Sequence, residues 1–214
     1  MELEREGRPE ARFLPALLRR RCSPLARIML TAAFDCCDEE ELPGVATVFA
    51  SRHGNINESI DLLERVVRRQ PLSPTRFSHS VHNAQAGLFS IAAGNRQASS
   101  SIAAQEDSFG CGYLEALTLL ERAPGRPVLL VTADVPLAAT FSSLVEEPAS
   151  SYALALLLER EGGGTRLGFG LERGDAARRR ARWPDAMEFL RWVLSGEERI
   201  ALGAGRRRWA WRRL

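Results

Sequence analysis

The chain has no lysine, so all 29 of its basic residues are arginine. Together with the abundant alanine this reflects genome composition, and it excludes nothing about chemistry. Cysteine is scarce. Cys22, Cys36, Cys37 and Cys111 have neither the spacing of a zinc site nor an extracellular setting, and two of them are adjacent. They read as buried free thiols, and the pattern asks for no metal and no cofactor. Long apolar runs are missing as well: stretches such as Tyr152 to Leu158 stop far short of the ~20 residues a membrane-spanning helix needs. The opening MELEREGRPEARF alternates acidic and basic residues, without an apolar segment or cleavage site. The expectation is a cytoplasmic chain with no membrane span.

What is present is the composition of one globular domain covering residues 1–214: 45% hydrophobic and 26% charged, enough to bury a sizeable core. The formal charge of +2 hides an asymmetry. Residues 176–214 carry eleven arginines against four acidic residues, so the basic C-terminal helix and tail form a candidate contact surface.

Periodicity predicts alternating elements. Ser23-Pro24 is a helix start, and Leu25, Ile28, Met29, Ala32 and Ala33 continue it at helical spacing to near Asp38. After the Pro43-Gly44 turn, Val45 to Ser51 reads as a strand buried on both faces. In NESIDLLERVVRRQ, Ile60, Leu62, Leu63, Val66 and Val67 share a helical stripe, with Asn57 or Ser59 as cap and Pro71 as stop. SPTRF reads as extended. SHSVHNAQAGLFSIAAG reads as a helix closed by Gly94, SSSIAAQ as a short strand, Ser108 to Arg122 as a helix, and Val128 to Thr132 as a strand. Tyr152 to Leu158 is a further strand, Gly162 to Gly164 turn into RLGFGLE, and a last helix starts at Pro184. This alternation implies an α/β layered fold with a mostly parallel sheet covered by helices.

Residues 73–116 carry more. Asn83, Ala86 and Gly87, then Ile91, Gly94 and Arg96, then Ser99, Ser101 and Ile102 fall in an ungapped register. In that register the segment resembles the N-terminal half of β-ketoacyl synthases, the thiolase-fold condensing enzymes of fatty-acid and polyketide synthesis. The resemblance places Glu106 on the family's catalytic cysteine, Asp107 beside it, Ser108 on the conserved serine and Phe109 on the glycine. A condensing enzyme needs a thiolate to hold the acyl group. A carboxylate is a poor acyl carrier, because the anhydride hydrolyses. The resemblance also puts the family's catalytic histidines in a second half that these residues do not include, and His53, His79 and His82 all precede Glu106.

The pattern is similar to the short chain-length-factor-like proteins of aryl polyene clusters. The resemblance then implies a thiolase-like half fold, a non-catalytic role, a catalytic β-ketoacyl synthase as heterodimer partner, and an acyl carrier protein as donor. It further implies that Ser99, Ser100, Ser101, Ile102, Ala103, Ala104 and Gln105 form an edge strand pairing across the dimer. Phe77, Phe89, Phe109 and Tyr113 become candidates for lining or stopping an acyl tunnel.

Simpler roles stand beside these. Glu106-Asp107 either takes part in chemistry or starts a helix, its acids complementing the dipole and capping amides. His82 suits packing, Cys111 lies one and a half turns from Glu106, and Asp134 suits a turn. The runs ARRRARW and AGRRRWAWRRL either dock a partner or bind nucleic acid, while Trp209 and Trp211 also alternate as in a strand with one buried face. Two other functions therefore stay open: an independent thiolase-fold acyltransferase or decarboxylase using Glu106, and a nucleic-acid-binding protein working through its tail.

Overall fold

The computed structural model describes residues 9–144, 150–174, 183–203 and 207–214. The tail arginines of residues 178–182 and Arg206 lie outside the described residues. In chain order the elements are α1 (Ala16–Arg19), α2 (Pro24–Cys36), β1 (Ala46–Ala50), α3 (Ile56–Val67), α4 (Pro74–His79), α5 (Ala84–Ala93) and β2 (Ser99–Ile102). Then come α6 (Ser108–Arg122), β3 (Val128–Asp134), β4 (Tyr152–Leu158), β5 (Leu167–Arg173), α7 (Asp185–Ser195), β6 (Arg199–Leu202) and β7 (Arg207–Arg213).

A four-stranded sheet runs β2-β1-β3-β4. Strand β1 is parallel to both neighbours and β4 closes the far edge antiparallel to β3. Both central strands are buried at every position, which is why their sequences are largely apolar rather than alternating. One face, with Phe49, Leu129 and Val131, receives α2 and α5. The other, with Val48, Ala50 and Leu130, receives α6 and α7. The mixed α/β architecture is the one expected from the alternation of elements.

The α2 start follows its sequence signature: the Ala26 amide donates to Ser23 Oγ at 3.1 Å, with Pro24 in the first turn. The same signature recurs at Ser73-Pro74, where Ser73 Oγ accepts from the Arg76 amide at 3.4 Å. SPTRF is therefore helical and not extended. The helix expected over residues 78–94 is interrupted between His79 and Ala84. There the His82 ring is anchored on the end of β2, its Nε2 3.0 Å from Ile102 O. Helix α3 begins at Ile56 after Asn55; Asn57 does not cap it but ties the 136–138 loop, donating to Pro136 O at 2.9 Å and accepting from the Ala138 amide at 2.9 Å.

Beyond the parallel sheet, β5, β7 and β6 form a separate three-stranded antiparallel sheet. Its register sets Phe169 opposite Trp211 and Leu171 opposite Trp209. The inner row settles on α6: the Trp211 ring stacks 5.6 Å from Phe109 and meets Tyr113 edge-on at 5.4 Å, while Phe189 of α7 stands 5.3 Å away. Each such pair contributes about 0.5–1.5 kcal/mol beyond the area it buries. Gly110 makes this approach possible, since a Cβ there would lie 2.3 Å from the Trp209 ring.

Candidate functional site

The parallel strands β1, β2 and β3 end on the same side of the sheet, where open α/β folds place their sites. The loop that leaves β1, residues 51–55, is the hub. Buried Asp134, at the end of β3, accepts from Ser51 Oγ at 2.7 Å and the His53 amide at 3.0 Å on one oxygen. Its other oxygen accepts from the Arg52 amide at 3.1 Å and Tyr152 Oη at 2.9 Å. With both oxygens satisfied, this carboxylate fixes the loop, the turn role its position suggested. Asn55, also buried, donates to His79 O at 2.6 Å and accepts from Ser23 Oγ at 2.8 Å.

Glu106 lies in a single 3-10 turn, Gln105–Asp107, that links β2 to α6. Its Oε1 is 3.5 Å from Arg52 Nη2, the arginine mostly covered and the glutamate partly open to solvent. A pair so placed contributes about 0–1 kcal/mol, so its value is in orientation more than in stability. The turn is strained: Gln105 has φ +52°, the left-handed region that costs a residue with a side chain about 1–2 kcal/mol. Ser108 braces it, its Oγ accepting from the Ala104 amide at 3.0 Å and donating to Gln105 O at 2.7 Å.

Asp107 occupies the N-cap position of α6 without capping it. Its carboxylate instead accepts from Trp209 Nε1 at 2.8 Å, a bond between residues 102 apart in the chain. Asp107 is therefore not spent on the helix amides.

Two of the three histidines have settings set by their local packing. Burial pushes the His53 imidazole below its ordinary range, with Asp134 opposing and Arg52 adding to the shift. The His82 ring packs against Gly54, whose added Cβ would meet Nδ1 at 2.6 Å, and its Nε2 donates to Ile102 O. Cys111 sits in the first turn of α6 with its thiol pushed up by burial and by the Asp107 charge, against a smaller opposing effect of Arg207. That favours the protonated thiol over a nucleophilic thiolate. Among the described residues no cluster of His, Cys, Asp and Glu could hold a metal ion, and no helix is long and apolar enough to cross a membrane.

The four aromatic candidates are divided. Phe109 and Tyr113 are brought together beneath the C-terminal sheet, where burial pushes the Tyr113 hydroxyl up to about 12. Phe89 lies across the sheet against Phe34 and Phe49. Phe77 stands on α4 at 66% exposure. They do not converge on one lining within this chain.

Among the described residues strand β2 is an edge, paired with β1. It covers Ser99, Ser100, Ser101 and Ile102, whereas Ala103 and Ala104 leave the ladder and Gln105 enters the turn, so the edge is four residues long instead of seven. A second feature was not apparent from sequence periodicity. Helix α3 packs chiefly on α4, and of its apolar stripe only Leu62 is buried; Leu63, Val66 and Val67 face solvent. Arg76 clamps the two helices on the polar side, reaching Glu58 at 3.0 Å and Asp61 at 2.6 Å. Sequence reasoning missed Arg52 and Tyr152 at the site and placed Trp209 only on an alternating strand; for Arg52 the available signal was its place just after a buried strand.

A family described as the β-ketoacyl synthase N-terminal domain matches residues 2–212. No curated protein matches the chain. Among solved structures, one similar chain belongs to a ketosynthase (ApeO) in complex with its chain length factor (ApeC) from Xenorhabdus doucetiae. It has TM-score 0.81 and 29% identity, over 94% of this chain and 82% of that one. The ishigamide ketosynthase/chain length factor matches with TM-score 0.58 and 18% identity over 76% of this chain. A β-ketoacyl synthase from Burkholderia phymatum STM815 matches with TM-score 0.61 and 15% identity over 80% of it. The chain spans about half the length of these last two, 51% and 52%, and they establish the fold alone.

Proposed function

The chain belongs to the family of β-ketoacyl synthase N-terminal domains, and from that premise we propose that it is a chain-length-factor-like subunit, itself without condensing activity, that pairs with a catalytic ketosynthase. The carrying observation is Glu106. On the register of the resemblance Glu106 takes the place of the family's acyl-accepting cysteine, and its carboxylate is turned toward Arg52. Neither group forms a lasting thioester equivalent, and the nearest thiol, Cys111, is held protonated. The likeness to a chain from a ketosynthase–chain length factor complex supports the same reading.

In this proposal the β2 edge pairs with the corresponding strand of the synthase, which also resolves the liability of an open edge. The exposed apolar residues of α3 and α4 then face the partner, and Phe77 reaches the growing chain and limits its length. Phe77→Ala should leave the fold intact and shift the product toward longer chains, read by mass spectrometry of the released acyl groups; an unchanged product distribution counts against that role. The acyl donor is a carrier protein, whose acidic surface suits arginines such as Arg207 and Arg212. Retention on immobilised carrier protein that does not weaken with salt would remove this part.

The deciding experiment is co-expression with a ketosynthase encoded beside it, followed by size-exclusion chromatography with mass determination. A stable one-to-one complex that condenses only when both chains are present is the expected result. Turnover of malonyl carrier protein by the isolated chain, abolished by Glu106→Ala, would overturn it in favour of an independent enzyme.

A further inference from the structure

We infer that Trp209 is a positioning residue for the Glu106 turn: the C-terminal sheet, through the Trp209–Asp107 hydrogen bond, holds that turn in the strained form that brings Glu106 to Arg52. This inference depends on the geometry of the chain and not on the identity of any partner.

Four features converge on the indole. Its N–H donates to Asp107 Oδ1 at 2.8 Å, and Asp107 is the residue after Glu106. Gly110, in the first turn of α6, leaves room for the ring where a Cβ would overlap it at 2.3 Å. Gly203, just after β6 and at φ +101°, is shaped to the opposite side: a Cβ there would stand 3.1 Å from Trp209 Cδ1 and 3.5 Å from Asp107 Oδ1. The indole itself is 3% exposed and stacks on Phe169 at 5.9 Å with an 11° tilt. Two glycines, one of them left-handed, thus frame a socket whose polar point is the Asp107 carboxylate.

The strained Gln105 requires such an anchor. Left alone, a glutamine at φ +52° relaxes to the right-handed or extended region, and the turn between β2 and α6 opens. Ser108 braces that turn from within, but its bonds to Ala104 and Gln105 move with the turn. The indole is fixed from outside by β7, which lies between β5 and β6 in its sheet. Asp107 gives up the capping role open to it at the α6 start and serves as the acceptor of this tie. Because Glu106 stands between Gln105 and Asp107, fixing both neighbours fixes where its carboxylate points.

The test is amide hydrogen exchange on the full chain, with Trp209→Phe, which keeps an aromatic ring and removes the N–H, beside Asp107→Ala and Asp107→Asn. The expected result is about tenfold faster exchange at the Ala104, Asp107 and Ser108 amides in Trp209→Phe and in Asp107→Ala, with β3 unchanged. Asp107→Asn, which keeps a carbonyl acceptor, should restore protection close to that of the parent. The Trp209→Phe/Asp107→Ala double variant should be no faster than either single one. Unchanged exchange at the turn in Trp209→Phe would overturn the inference, as would acceleration spread evenly over β5, β6, β7 and α6, the sign of a purely packing role. Failure of Asp107→Asn to restore protection would overturn it too. None of these readouts involves a synthase, so they stand or fall separately from the heterodimer.

Discussion

Trp211 and Val67 are both apolar residues on elements with a plain apolar face, yet the first is 1% exposed and the second 83%. Trp211 belongs to a C-terminal sheet that closes over α6 and fills its face with stacked rings. Val67 belongs to a two-helix hairpin whose charged side is clamped by Arg76 and whose apolar side is left largely exposed among the described residues. A chain able to bury the residues of one face completely and leaving another open points to where its own core ends. An open patch of this kind is the usual mark of an interaction surface.

The contrast is broken most severely from the buried side. Trp211→Ala should cost about 3–5 kcal/mol, a large part of the 5–15 kcal/mol typical of a domain, and be visible as a collapse of the urea midpoint. A loss under ~1 kcal/mol would mean that the sheet is an appendage and not part of the core. Gly110→Ala probes the same contact from α6. With a Cβ placed 2.3 Å from the Trp209 ring, either the indole or the helix must shift, and a loss of about 1–3 kcal/mol in thermal unfolding is expected.

From the open side the expectation reverses. Val67→Asp should change the stability of the isolated chain by less than ~0.5 kcal/mol, since no contact is lost. The same change should weaken the proposed synthase complex tenfold or more, about 1.4 kcal/mol, measured by calorimetric titration. Equal affinity would place the partner elsewhere.

The smallest effect concerns pH. Burial lowers the His53 pKa in the folded chain, so the unfolded chain, titrating near 6.5, takes up the proton first as pH falls. Stability contributed by the neutral ring is complete above that value and declines below it. His53→Gln should flatten the dependence of the urea midpoint between pH 7 and pH 5; an unaltered slope would show that other groups carry it.

These contrasts also mark how far the amino-acid order could be read. Helix α6 and strand β4 have the limits that periodicity predicts, Ser108–Arg122 and Tyr152–Leu158. The Ser-Pro signature that starts α2 starts α4 as well, yet a six-residue helix is too short to display a period, so SPTRF reads as extended. The α3 stripe is legible as a stripe, but amphipathicity reports that a face is apolar and not what covers it. At the site, the turn before α6 that carries Glu106 is legible from the helix start at Ser108. Its setting is not, because Arg52 and Trp209 approach it across long stretches of chain.

The order of residues by itself determined most of the succession of helices and strands, the largely apolar central strands, and the start of α6 just after the Glu106-Asp107 pair. Capping, turn chemistry and side-chain period act over a few residues, so they survive in one dimension. Tertiary structure alone decided that β4 runs against β3, that the Phe169, Trp209 and Trp211 strands form a second sheet over α6, and that Asp107 answers Trp209 rather than its own helix. Those outcomes depend on which distant surfaces fit one another, and complementarity of shape between residues a hundred positions apart leaves no periodic trace in the chain.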